Sequence, residues 1–167
     1  GQEGWYLETQ LRNFKNGVRG AHDDDEFGRQ MAPMAALLAD EAAIRNMAAY
    51  ITTLPEHTSN NSLSGDAVKG QHLYRTFGTC HGINGEGNYA TNAPRLRGRE
   101  DWYLKRELRD FKSGVRGIRR QELIGRHMRS MTRKLRTEKD INDVVAYINT
   151  LEPAVNQDQI AVEAMQG

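Results

Sequence analysis

The chain has a single cysteine, so no internal disulfide can hold it together, and its redox compartment must be inferred from chemistry. No apolar run approaches the ~18 residues that span a bilayer, and the mean hydropathy is −0.74. Convincing period-two alternation, the mark of half-buried strands, is missing. The opening residues, GQEGWYLETQ, lack the basic-then-apolar order of a signal peptide. That predicts a mature segment, a fragment, or a subunit targeted by something no longer attached. A length of 167 residues allows one ordinary core or two small ones.

The near-absence of net charge hides an asymmetry. Residues 1–58 hold 5 basic and 9 acidic side chains, whereas residues 65–154 hold 18 basic and 11 acidic. A basic second half suits long-range steering toward an acidic partner. The plainer reading is a solvated charged surface.

What the sequence does have is an internal repeat. GQEGWYLETQLRNFKNGVRG at residues 1–20 matches GREDWYLKRELRDFKSGVRG at residues 98–117. The offset of 97 carries Met31 onto Met128, Ile44 onto Ile141, Tyr50 onto Tyr147 and Leu54 onto Leu151, with no gap. Over residues 1–54, 25 of 54 positions are identical, which marks a duplication. The second copy is preceded by residues 65–97; the first has no such upstream part in this sequence. We therefore expect 1–58 to be the C-terminal half of a first domain. Residues 59–64 form a linker, 65–154 a complete domain, and 155–167 a tail.

The coarse pattern is all-α. Thr137 and Asp140 form a capping box before Ile141, Val144, Val145, Ile148 and Leu151. Asp40 caps the equivalent helix in the first copy, and Pro55 stops it. A helix runs near Asp101–Lys112 with Leu104, Leu108 and Phe111 on one face and Gly114 as terminator; Leu7, Leu11, Phe14 and Gly17 repeat it. A further helix starts near Ser64 and carries Gly70, Leu73 and Tyr74.

The chemical centre lies in GQHLYRTFGTCHGINGEGN, residues 70–88. A CxxCH run reads as covalent haem attachment. Here it is Phe77-Gly78-Thr79-Cys80-His81, with phenylalanine in the first cysteine's place. The two demands are separable: the thiol makes a thioether to a haem vinyl group, and the imidazole coordinates iron. One missing thiol removes one covalent link and leaves coordination intact, and Phe77 would pack against the porphyrin. A Cys-His pair is more often a buried thiol beside a satisfied histidine. Glycines at 82, 85 and 87, Pro94 and Leu96 nearby, and Met128 in a duplicated context reverse that preference.

With GDAVKGQHLY, CHGINGEGN, APRLRG, DWYLKRELRDFKSGVRG, HMRSM and DVVAYINTL, residues 65–152 resemble a class I cytochrome c domain along their whole length. The resemblance implies a class I cytochrome c fold, one complete domain plus half of a duplicate. It implies His81 as proximal ligand, its second ring nitrogen held by the Pro94 carbonyl. It implies Met128 as sixth ligand, and a crossing of Gly70 and Tyr74 with Tyr147. His/Met ligation leaves no open coordination site and suits electron transfer. The repeat is similar to tandem dihaem cytochromes, free or fused to subunit II of haem-copper oxidases. The single-cysteine motif resembles the single-thioether cytochromes of euglenozoan mitochondria.

Met131 and Met34 lie three residues after Met128 and Met31; the family's placement favours the earlier pair. His127 could compete, but its counterpart is Gln30. Trp102 and Tyr103, recurring as Trp5 and Tyr6, read either as helix packing or as residues at the haem's propionate edge. Arg95 is a candidate propionate partner. The run RGIRRQELIGRHMRSMTRKLR, 116–136, lacks the interleaved aromatics of a nucleic-acid binder. A basic ring around a haem edge suits an acidic redox partner instead.

The expectation is thus an electron carrier with one complete haem c site, not an enzyme by itself. It would serve as a module of a respiratory complex such as cytochrome c oxidase. Met31 would ligate a second haem completed by another chain. Covalent haem attachment points to the periplasm or the mitochondrial intermembrane space. The competing readings are a degenerate cytochrome kept as a structural or assembly subunit, and a peroxidase-like enzyme, which would need Met128 to leave the iron.

Overall fold

A computed structural model describes residues 1–55 and 62–151. Among the described residues seven α-helices form, in order α1 (Gly4–Lys15), α2 (Glu26–Ala36), α3 (Glu41–Thr53), α4 (Ala67–His81), α5 (Asp101–Ser113), α6 (Leu123–Thr132) and α7 (Glu138–Ile148). A 3-10 turn at Tyr89–Thr91 lies between α4 and α5. Among the described residues the only bridge-type pairing is Asn88 with Ala93, and no helix is long and apolar enough to cross a membrane. The expected tail lies outside the described residues, as do residues 59–61 of the expected linker.

Local chemistry sets the boundaries. Asp40 accepts from the Ala43 N–H at 2.8 Å, and Asp66 from the Lys69 N–H at 3.0 Å. Thr137 and Asp140 make the full reciprocal capping box. Gly114 ends α5 in the left-handed region at φ 92°. α4 starts at Ala67 rather than near Ser64, because Asp66 supplies the cap while Gly65 sits too close to the Asn142 carbonyl to bear a side chain. The two methionine helices, α2 and α6, lie outside the segments expected to be helical; Pro33 sits inside α2, and Arg126 and Arg129 stand among the apolar residues of α6.

The core of the second half gathers Tyr74, Phe77, Leu104, Leu108, Leu135, Ile141, Val144, Val145 and Ile148. Each fully buried aliphatic side chain here contributes about 1.5–3 kcal/mol relative to exposure. α4 crosses α7 at Gly70, where any Cβ would collide with the Asp143 carbonyl and Tyr147. One turn on, the Tyr74 and Tyr147 rings meet at 5.3 Å.

The repeat is a repeat in space. α1, α2 and α3 begin 97 residues before α5, α6 and α7. The Arg12–Glu41 pair has its counterpart in Arg109–Glu138, and Arg19 over Phe14 in Arg116 over Phe111. Packing differs where α4 acts. Val144 is buried and Tyr147 half-buried under α4, but their counterparts Met47 and Tyr50 are 39% and 62% exposed. Among the described residues no helix covers that face of α3.

Candidate functional site

α4 ends with His81, and the chain turns at once. Gly82 (φ 84°) and Gly87 (φ 85°) adopt conformations in which L side chains are strained. A Cβ on Gly87 would also press on the Arg95 backbone N–H. The loop folds back on itself: Gly87 N–H donates to the His81 carbonyl at 2.8 Å, Leu96 N–H to the Gly85 carbonyl at 2.9 Å, and Thr91 Oγ1 to the Cys80 carbonyl at 2.9 Å. This closure brings the Pro94 carbonyl within 2.8 Å of His81 Nδ1. A carbonyl only accepts, so Nδ1 carries the proton and Nε2 is left with its lone pair. Burial lowers the imidazole pKa against the smaller opposing effect of the Pro94 bond. The ring is therefore neutral near pH 7, the form that binds metal.

His81 borders a cavity of about 290 Å³ between α4, α5, α6, α7 and the loop, with Trp5, Tyr6 and Gln10 of α1 closing one side. Cys80, Phe77, Met128 and Met131 share its walls. Leu96, Leu104, Leu108, Phe111 and Ile148 add apolar surface. Phe77, at 4% exposure, presents a ring where a second thiol would stand in a CxxCH run. The site thus gathers an imidazole, a thiol one residue away, thioether sulfurs from a different helix and a largely apolar lining. That donor set fits a flat, covalently attached iron porphyrin. His81 and a methionine of α6 would hold the iron, and Cys80 the ring.

The other expected residues divide. Arg95 and Tyr103 line the cavity. Arg95 is already engaged with the first half, its guanidinium donating to the Gly1 carbonyl and its backbone N–H reaching Glu3 at 3.4 Å. Burial, then the neighbouring Glu107, raise the Tyr103 pKa and keep its hydroxyl protonated. Trp102 is not among the walls. It is 56% exposed, with the Arg106 guanidinium 5.0 Å from its ring, because its neighbour Tyr103 takes the inward face of α5. Met128 and Met131 both reach the cavity from α6, and His127 touches it while remaining exposed. Met31 sits half-buried on α2, away from this cavity, and Met34 is 57% exposed. Residues 1–55 contain no cysteine and one histidine, His22, beside Asp24.

The basic run is less uniform than its sequence. Arg119, Arg120, Arg126, Arg133, Lys134 and Arg136 are exposed, but Arg116 is buried in ion pairs. Glu107 was not among the expected site residues, and Arg116 was expected only as part of the basic docking face; both line the cavity. The signal was present in the repeat, where Arg19 and Arg116 occupy equivalent positions and Gln10 stands where Glu107 recurs.

Known proteins resemble this chain in sequence and in fold. Residues 67–152 match the family model "Cytochrome c". Cytochrome c4 of Azotobacter vinelandii is 30% identical over 163 residues, covering 90% of this chain and 74% of its own length. Cytochrome c4 of Stutzerimonas stutzeri is 35% identical over 95 residues, covering 55% of this chain and 44% of its own length. Cytochrome c4 of Acidithiobacillus ferrooxidans superposes with a TM-score of 0.69 at 25% identity, over 90% of this chain and 86% of that one. Thiosulfate dehydrogenase from Marichromatium purpuratum gives 0.69 at 27% identity, over 91% of this chain but 32% of that one.

Proposed function

The chain belongs to the cytochrome c family of covalent haem electron carriers, and from that premise we propose that it passes electrons through a haem attached at Cys80 and ligated by His81 and Met128. Bound haem iron supplies one-electron exchange between its ferric and ferrous states. The observation that carries the ligand reading is the His81–Pro94 contact. It fixes the tautomer and leaves the Nε2 lone pair free on a ring that borders the same cavity as Cys80 and Met128. Phe77 replaces one thioether by packing, so the attachment is single.

This electron carrier works in the periplasm, as bacterial relatives and covalent haem attachment support. An acidic redox protein docks at the exposed arginines of 116–136, through a small and salt-sensitive contact. The chain works as a module of a larger respiratory assembly, such as a cytochrome c oxidase. Its likeness to under a third of a thiosulfate dehydrogenase chain supports a modular role. The half formed by α1–α3 is completed by a segment carrying an equivalent of α4, with Met31 ligating that segment's haem. The open face of Met47 and Tyr50, covered by α4 in the second half, supports this.

A pyridine haemochrome spectrum of the purified protein tests the attachment. The reduced band should fall between those of non-covalent and two-thioether haem. Absence of any Soret band would favour the structural-subunit reading that Phe77 invites. Met128→Ala should lower the potential and remove the sulfur-to-iron charge-transfer band. If neither changed, Met128 would not be the ligand.

A further inference from the structure

At the boundary between the two halves lies a buried ionic cluster. Arg19 donates to Gln10 Oε1 at 2.8 Å and to Glu107 Oε1 at 3.1 Å. Arg116 donates to Glu107 Oε2, to Glu122 Oε1 at 3.1 Å and to Gln10 Oε1 at 3.4 Å. Arg19, Glu107, Arg116 and Glu122 are all buried. The offset of 97 relates Arg19 to Arg116 and Gln10 to Glu107. Two equivalent cations therefore interlock with two equivalent acceptors, about a local pseudo-two-fold relation. The symmetry is broken at one atom pair, because one acceptor is a neutral amide and the other a carboxylate.

Four of these residues, Gln10, Glu107, Arg116 and Glu122, also line the cavity that His81 and Met128 border. The Nε atoms of Arg19 and Arg116 are buried with no hydrogen-bond partner. The buried guanidinium of Arg116 at the cavity wall brings positive charge there, which two carboxylates offset: Glu107, shared by both arginines, and Glu122, paired with Arg116 alone. In such low-dielectric surroundings charges act over longer range than in water.

We infer that Glu107 is a positioning residue for electron transfer. It clamps the two halves through Arg19 and Arg116, and its single negative charge lowers the reduction potential of the haem held at His81. The inference rests on the haem site proposed above. Its physical basis is that a nearby anion favours the ferric state, which carries one more positive charge than the ferrous.

The cluster allows a test of opposite signs. Glu107→Gln removes the charge and should shift the potential of the haem-loaded protein upward. Gln10→Glu adds a carboxylate between the same two arginines and should shift it downward. Glu107→Asp keeps the charge and should stay close to the parent even if the halves are held less firmly. Potentials are read by spectroelectrochemistry at constant ionic strength, with thermal melting recorded alongside. If Glu107→Gln proves too unstable to isolate, the other two variants decide. Opposite shifts for the amide and added-carboxylate variants support the inference. Changes in melting temperature with unmoved potentials, or both variants shifting the same way, would overturn it and reduce Glu107 to a structural clamp. A protein without haem in any variant, parent included, would instead defeat the proposed function.

Discussion

The crossing of α4 over α7 holds His81 in place, and Gly70 is where it can be tested. On helix propensity alone, Gly70→Ala should stabilise α4 by about 1 kcal/mol. The structure predicts the opposite sign. A Cβ at this position would run into the Asp143 carbonyl oxygen and the Tyr147 Cβ, both fixed parts of α7, so neither can swing aside. Overpacking of this kind costs about 1–3 kcal/mol, and backbone as the obstacle puts the cost at the upper end. The net loss is then about 2 kcal/mol, or roughly 8–16 °C in melting temperature for a cooperative unit the size of the second half. Gly78 on the same helix is the control. Its Cβ would meet the edge of the Tyr74 ring at 3.1 Å, a side chain able to give by a few tenths of an ångström. Gly78→Ala should therefore be neutral or gain up to about 1 kcal/mol. Melting of the haem-loaded protein, followed by far-ultraviolet circular dichroism and by Soret absorbance, reads both. A Gly70→Ala variant as stable as the parent would refute the close crossing.

The remaining predictions concern carboxylates. Asp143 is fully buried, accepting from the Asp66 N–H at 2.9 Å and from Lys139 at 2.8 and 2.9 Å. Burial pushes its pKa up, but Lys139, the Asp66 N–H and Lys69 outweigh it and hold the carboxyl below the usual range. Its folded pKa being depressed, its stabilisation is present above the unfolded value and lost as pH falls through the folded one. Asp143→Asn should cost about 1.5–3 kcal/mol near neutral pH, a difference that shrinks below about pH 4 in urea titrations. Asp110 behaves oppositely: burial, then the charges of Glu107 and Asp25, raise its pKa to about 6. Ionising it opposes folding, so stability falls as pH rises from about 4 to 6. Asp110→Asn should raise the urea midpoint above that window and leave it unchanged below. An equal effect at both ends would show that the charge is not responsible.

What is local or recurrent was legible in the order of the amino acids. Capping at Asp40 and Thr137, the stop at Gly114, the Cys80-His81 pair and the offset of 97 are all short-range or self-matching features, and each is found in the structure. Tertiary structure decided what depends on which side of a helix meets another. Trp102 and Tyr103 are neighbours in sequence, yet about 100° separates them around α5, and only Tyr103 reaches the cavity. Arg116 belongs to a run of surface cations in sequence, but the turn after α5 folds it back onto Glu107, nine residues earlier, and Arg19 of the first half joins it on that buried carboxylate. Such partners lie 88 residues apart in the chain for Arg19 and Glu107. No periodicity encodes that meeting, which follows from the packing of two copies against each other.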